Sequence, residues 1–148
     1  MNSLFDNYGF LSCGIFNVSP REAFELCGKG AVIVDVREGN LRGFKSFDVP
    51  GLIYLPKSQI EEEYKNLPAD RYMIFADTVG LRSKEAVILL KETDLKNIAN
   101  MAGGIVDWER DGLPVKTNIE QRLSGSCMCQ LKPREGRKDK RQKGKDNS

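Results

Sequence analysis

The stretch best equipped for chemistry is Tyr72-Met73-Ile74-Phe75-Ala76-Asp77-Thr78-Val79-Gly80-Leu81-Arg82-Ser83. An apolar run stops at a carboxylate, a short loop with one glycine follows, and Arg82-Ser83-Lys84-Glu85 opens a segment of helical character. Strand, tight loop and helix N-terminus together make an anion site, because backbone N–H groups converge there and the helix dipole favours negative charge. In this chain the first loop residue, Asp77, is itself an anion.

The other reactive groups are four cysteines, Cys13, Cys27, Cys127 and Cys129. Their scatter does not form a disulfide framework of the secreted kind. Cys127-Met128-Cys129 places two thiols one residue apart. Such a pair can supply two soft ligands to a metal, form an exchange-prone disulfide, or carry a sulfane sulfur on an arm. A closed metal site needs about four ligands, so no resident metal or other cofactor is expected. The plain alternative is a pair of exposed thiols with no role; Lys132 and Arg134 nearby supply some positive charge for activation. Cys13 is a weaker candidate for the same work, and Cys27 sits on an apolar helical face where a small buried residue is expected. The chain has no histidine. That excludes Ser-His or Cys-His nucleophile pairs, His-ligated zinc and His acid–base catalysis.

The elements that must position these groups alternate. Residues 1–15 form an N-terminal extension, and 1–18 is expected to be irregular, with Phe5, Tyr8, Phe10, Ile15 and Phe16 able to pack on the body. Ser19-Pro20-Arg21-Glu22 predicts a helix start through a capping box with proline at the first position. Ala31 to Arg37 is a continuous β-branched run, as in a strand buried on both faces. A turn carrying Arg42, Phe44 and Lys45 leads to a short strand before Pro56. An acidic helix over 58–67 follows, with Ile60, Tyr64 and Leu67 as its apolar stripe. After the strand at 72–76, the best helix runs from Leu81 to Glu92, with Ala86, Val87, Leu89 and Leu90 toward the core. A strand over 97–101, Gly103-Gly104, and a helix over 105–110 anchored by Trp108 complete the body. Strand and helix alternating four times predict a parallel α/β sheet with helices on both sides.

Composition changes after Thr117. Residues 117–148 hold nine basic and four acidic side chains, while residues 1–116 hold 14 and 17. The body is slightly acidic and the tail basic. That tail has no aromatic residue to stack on a base, so a solvated, disordered tail is favoured over nucleic-acid contact. No apolar run reaches the roughly 20 residues of a membrane span. No basic segment precedes an apolar one at the N-terminus. The expectation is a cytoplasmic monomer without membrane attachment.

Several motifs, taken in order, resemble a single-domain rhodanese. They are Val34-Asp35-Val36-Arg37-Glu38, Val49-Pro50-Gly51-Leu52-Ile53, the loop with Gly80 and Arg82-Ser83, Ala102-Gly103-Gly104-Ile105-Val106-Asp107-Trp108, and Gly112-Leu113-Pro114-Val115. The resemblance covers about residues 16–116 and implies a five-stranded parallel sheet flanked by helices. It implies that the body is a rhodanese-like domain over 16–116, with 117–148 as the tail. It also implies that the loop is the family's sulfurtransferase loop, in which a cysteine heads Cys-Arg-Ser-Gly-x-Arg and carries a sulfane sulfur between a donor such as thiosulfate and a thiophilic acceptor. Here the six positions read Asp77-Thr78-Val79-Gly80-Leu81-Arg82. Length, glycine and final arginine match; the nucleophile does not. The resemblance further makes Asp35 and Arg37 structural, tying the first strand end to its neighbours.

Asp77 therefore has two readings. In the favoured one it caps the helix and closes the loop. In the other it binds a cation or acts as a carboxylate nucleophile. A phospho-accepting aspartate needs companion acids and a lysine, and only Asp35 and Glu38 are candidates. The expected function is an inactive homologue in sulfur metabolism, a binding or regulatory module that lacks sulfurtransferase activity at the loop. The alternative is a sulfur relay through Cys127 and Cys129. Its expected partner is a sulfur donor or acceptor protein, or a small anion.

Overall fold

A computed structural model describes Phe5, residues 7–39 and residues 45–117. The expectations for Arg42, Phe44, Cys127, Met128, Cys129, Lys132 and Arg134 lie outside the described residues. One compact unit spans residues 1–42 and 46–116; of the other, residues 43–45 and 117–148, only Lys45 and Thr117 are described.

The elements are β1 (Phe10–Ser12), β2 (Ile15–Val18), α1 (Pro20–Gly28), β3 (Val32–Asp35), β4 (Lys45–Phe47), β5 (Leu52–Tyr54), α2 (Ile60–Glu63), β6 (Met73–Ala76), α3 (Leu81–Leu90), β7 (Ile98–Met101), α4 (Gly104–Arg110) and β8 (Val115–Thr117). The main sheet has six strands in the order β1-β2-β7-β6-β3-β5. Five of them run parallel, as expected. β1 pairs antiparallel with β2 at the edge. β4 and β8 form a separate two-stranded sheet.

The sheet is buried on both faces because its strands are apolar at successive positions. Val32, Val34, Met73 and Phe75 pack on one side with Ala86, Val87 and Leu90 of α3 and Ile60 of α2. Ile33, Ile74 and Ala76 pack on the other with Ala23 and Leu26 of α1 and Ile105 and Trp108 of α4. The period of two thus feeds two cores. Trp108 is fully buried, with Phe24 and Phe47 edge-on to its ring and its indole N–H donating to the Pro114 carbonyl at 2.7 Å. Truncating a side chain so packed costs roughly 3–5 kcal/mol. The capping box of α1 is present: Ser19 Oγ accepts from Glu22 N–H at 3.2 Å, and the Glu22 carboxylate accepts from the N–H groups of Ser19 and Gly9.

Four expectations need correction. Residues 10–18 are not irregular but a hairpin, turned through Cys13 and Gly14, both at positive φ. Such turns are signalled by Asn-Gly or Asp-Gly, and Cys-Gly carries no such signal. Phe10 does not pack on the body; it is exposed, as is Leu11. Leu89 does not face the core, because one residue turns the helix by about 100° and the buried stripe is Ser83, Ala86, Val87 and Leu90. The acidic helix is a single α-turn between two 3₁₀ turns, Lys57–Gln59 and Tyr64–Asn66, neither with a side-chain cap. Three consecutive glutamates and few buried residues give it little to propagate along.

Candidate functional site

β6 delivers Asp77 to the end of the sheet where the parallel strands finish, between the end of β3 and that of β7. Asp77 is 2% exposed. One carboxylate oxygen accepts from Gly80 N–H at 2.5 Å and the other from Arg82 N–H at 2.9 Å. Arg82 lies in the first turn of α3, so the carboxylate sits on that helix's free amides, where the dipole favours negative charge. Gly80 leads into the helix at φ 97°, a left-handed conformation that costs glycine little.

The loop is held from its other side by α4. The Asp77 carbonyl accepts from Ile105 N–H at 2.9 Å, and the Thr78 carbonyl from Val106 N–H at 3.1 Å. Gly104 makes this approach possible: a Cβ there would lie 2.4 Å from the Asp77 carbonyl oxygen and 2.5 Å from that of Thr78. The Gly-Gly pair thus seats a helix terminus on the loop backbone. Thr78, Val79, Leu81 and Arg82 are exposed around it, while Gly80 is buried.

Asp35 and Arg37 lie at the neighbouring strand end, with Asp35 in register with Ala76. They form a buried ion pair. Arg37 Nη2 donates to Asp35 Oδ2 at 2.8 Å, and Nε and the backbone N–H donate to Oδ1 at 3.0 and 3.1 Å. The Arg37 guanidinium also lies 5.9 Å from the Phe47 ring centroid. Glu38, the other candidate companion acid, accepts from the Ser58 N–H and hydroxyl. Among the described residues, no cluster of three His, Cys, Asp or Glu could hold a metal ion.

Sequence reasoning did not find the polar groups that extend this site inward. Ser83 Oγ donates to Asn100 Oδ1 at 2.5 Å and lies 3.3 Å from Asp77 Oδ1. Asn100 Nδ2 donates to Asn17 Oδ1 at 3.0 Å, and Asn17 Nδ2 to the Ile15 carbonyl at 3.1 Å. Ser83, Asn100 and Asn17 are all buried. The available signal was one asparagine inside each of two apolar strands, at positions that turn out to be register partners. Buried amides persist only when partnered.

The thiols separate. Cys27 is buried, and that burial pushes its pKa up to about 11. Cys13 is exposed at the hairpin turn, at the opposite end of the sheet from Asp77. Among the described residues, no helix is long and apolar enough to cross a membrane.

Comparison with known proteins bears on this geometry. The family model for the rhodanese-like domain matches residues 19–111. The thiosulfate sulfurtransferase GlpE of Haemophilus influenzae is 29% identical over 100 residues, 68% of this chain and 93% of that protein. A sulfurtransferase of Allochromatium vinosum is 31% identical over 67 residues, 45% of this chain and 63% of its own. The crystal structure of a rhodanese-related protein from Thermoplasma volcanium superposes with a TM-score of 0.60 at 31% identity, covering 67% of this chain and 95% of that one.

Proposed function

The chain belongs to the rhodanese-like domain family, and from that premise we propose that it is a sulfurtransferase homologue whose loop does not itself carry sulfur. The domain works as a binding or regulatory module for a sulfur donor or acceptor protein, or for a small anion. The observation that carries this reading is the Asp77 carboxylate, 2% exposed and bonded to Gly80 and Arg82 N–H. A carboxylate oxygen cannot take up sulfane sulfur and release it. Hydrogen bonds to a charged group contribute roughly 1.5–3 kcal/mol, so the same substitution that removes a nucleophile closes the loop. The amides that would cradle a bound persulfide are occupied from within.

The test is thiosulfate–cyanide turnover in a Cys13→Ser, Cys127→Ser, Cys129→Ser background, which leaves the loop as the variable. With Asp77 in place, thiocyanate should not form above the uncatalysed rate. Adding Asp77→Cys should create turnover. Turnover that persists with Asp77 in that background would overturn the reading.

The alternative, a relay through Cys127 and Cys129, is motivated by their spacing in the basic tail. It expects loss of sulfur transfer in the Cys127→Ser, Cys129→Ser variant alone. A cytoplasmic monomer is the accompanying expectation, checked by fractionation and light scattering.

A further inference from the structure

The main sheet has two edges, and they differ in how they are guarded. β5 at one edge is bracketed by Pro50 and Pro56, and proline is one of the devices that keep an edge from pairing further. β1 at the other edge has no such guard. From Asn7 to Gly14 the chain carries no charged residue and no proline, and Phe10 and Leu11 are 53% and 75% exposed. The register shows which backbone groups are open. Cys13 and Gly14, both at positive φ, make a two-residue turn, so Ser12–Ile15 and Phe10–Asn17 are the hydrogen-bonded pairs and Leu11–Phe16 lies between them. The N–H and C=O of Leu11 therefore point away from β2, and no described residue bonds them. Side chains alternate across the strand. Leu11 shares a face with Phe16, which packs on the core beneath α1 and α4, and Phe10 shares the other face with Asn17. Each face of the edge thus ends in a large apolar group open to water.

Charge at the two ends of β1 is uneven. At the Gly9 end, the Glu22 carboxylate is taken by the N–H groups of Gly9 and Ser19, and Glu25 and Lys29 meet at the Tyr8 hydroxyl. At the Gly14 end, Lys91 Nζ lies 2.6 Å from where a Gly14 Cβ would stand, and Lys96 lines the same hollow as that glycine. Neither lysine forms an ion pair with a described residue. We propose that β1 is a docking edge, to which a partner protein adds an extended segment that is apolar at its centre and acidic beside Gly14. Strand addition of this kind draws its affinity from main-chain hydrogen bonds and its specificity from alternate side chains. The added strand runs antiparallel and exchanges two hydrogen bonds with Leu11. Its central side chain lies against Leu11 on one face, and the next one against Phe10 on the other. Acidic residues that precede this pair reach Lys91 and Lys96. A second copy of the chain supplies no such acid, because antiparallel self-pairing would set Lys91 beside the other copy's Gly9 end, where the carboxylates are already bonded.

This inference goes beyond the loop reading and concerns a different part of the sheet. The experiment follows fluorescence anisotropy of a labelled synthetic peptide, Asp-Glu-Thr-Val-Ile-Val-Thr-Gly, with the full chain. The peptide should bind, and hydrogen exchange at the Leu11 N–H should slow when it does. Methylating the isoleucine nitrogen, which faces Leu11, should weaken binding about tenfold, as loss of one or two hydrogen bonds implies. Methylating the following valine nitrogen, which faces away, should leave affinity nearly intact. These arms need no change to the protein. Leu11→Lys should abolish binding, and Lys91→Gln with Lys96→Gln should weaken it several-fold, as should raised salt, because exposed charge is screened. The proposal is overturned if the peptide does not bind, if the two methylated peptides bind alike, or if Leu11 exchange is unchanged. It is also overturned if the chain alone self-associates and Leu11→Lys abolishes that association, since the edge would then belong to a second copy. None of these outcomes depends on Asp77 or on sulfur transfer.

Discussion

Where the parallel strands finish, Asp35, Arg37 and Asp77 are all buried, and each charge meets fixed partners within hydrogen-bond distance. Where the strands begin, Cys13 and the side chains of Lys91 and Lys96 face solvent. The first arrangement is what burial demands: an ion taken out of water must be paired and bonded or it unfolds the site. The second is what reactivity demands, since a nucleophile must be ionised and reachable. In this chain the family's loop has the architecture of the first kind, and the features of the second kind gather at the opposite edge.

Three measurements break or sharpen that contrast. The largest effect is expected from Asp35→Ala, which strands the buried Arg37 guanidinium and should cost about 3–5 kcal/mol in urea unfolding. A loss no greater than that of a surface substitution would show that the closed end is not held by its charges. Asp77→Asn should cost about 1–3 kcal/mol. Both carboxylate oxygens accept a backbone N–H, and an amide can offer only one oxygen. A neutral outcome would show that shape alone, not charge, closes the loop. The smallest effect is a pH slope at the open end. The folded state holds the Cys27 proton more tightly than the unfolded chain does, with pKa about 11 against 9.0. Stability should therefore be full below pH 9 and fall as pH rises toward 11. Cys27→Ala should flatten the slope, whereas Cys13→Ser, at an exposed thiol, should leave it in place.

Much of the fold was legible because burial leaves a period in the sequence. Ala31 to Val36 and Met73 to Ala76 read as strands without alternation, and Ser19 with Glu22 marked a helix start. The loop was legible through Asp77, Gly80 and Arg82 at fixed spacing. The first hairpin was not, because its turn is made by Cys13 and Gly14 and its strands are three and four residues long. Leu89 was misplaced because, as the neighbour of Leu90, it stands about 100° around the axis from that buried residue. The inner polar groups were invisible for a different reason. Asn17 and Asn100 are 83 residues apart, and only sheet order makes them neighbours.

Those amides give the site a handedness of bonding. A hydroxyl has one proton, and Ser83 spends it on the nearer oxygen, that of Asn100. Asn100 must then present its NH₂ to Asn17, and Asn17 its own to the Ile15 carbonyl, which can only accept. Reversing Asn100 alone would set its oxygen against that of Asn17, and reversing Asn17 alone would set its oxygen against the Ile15 carbonyl. The orientation of a hydroxyl beside Asp77 is thus dictated by a peptide group in another strand, and the loop inherits a proton order it does not itself encode.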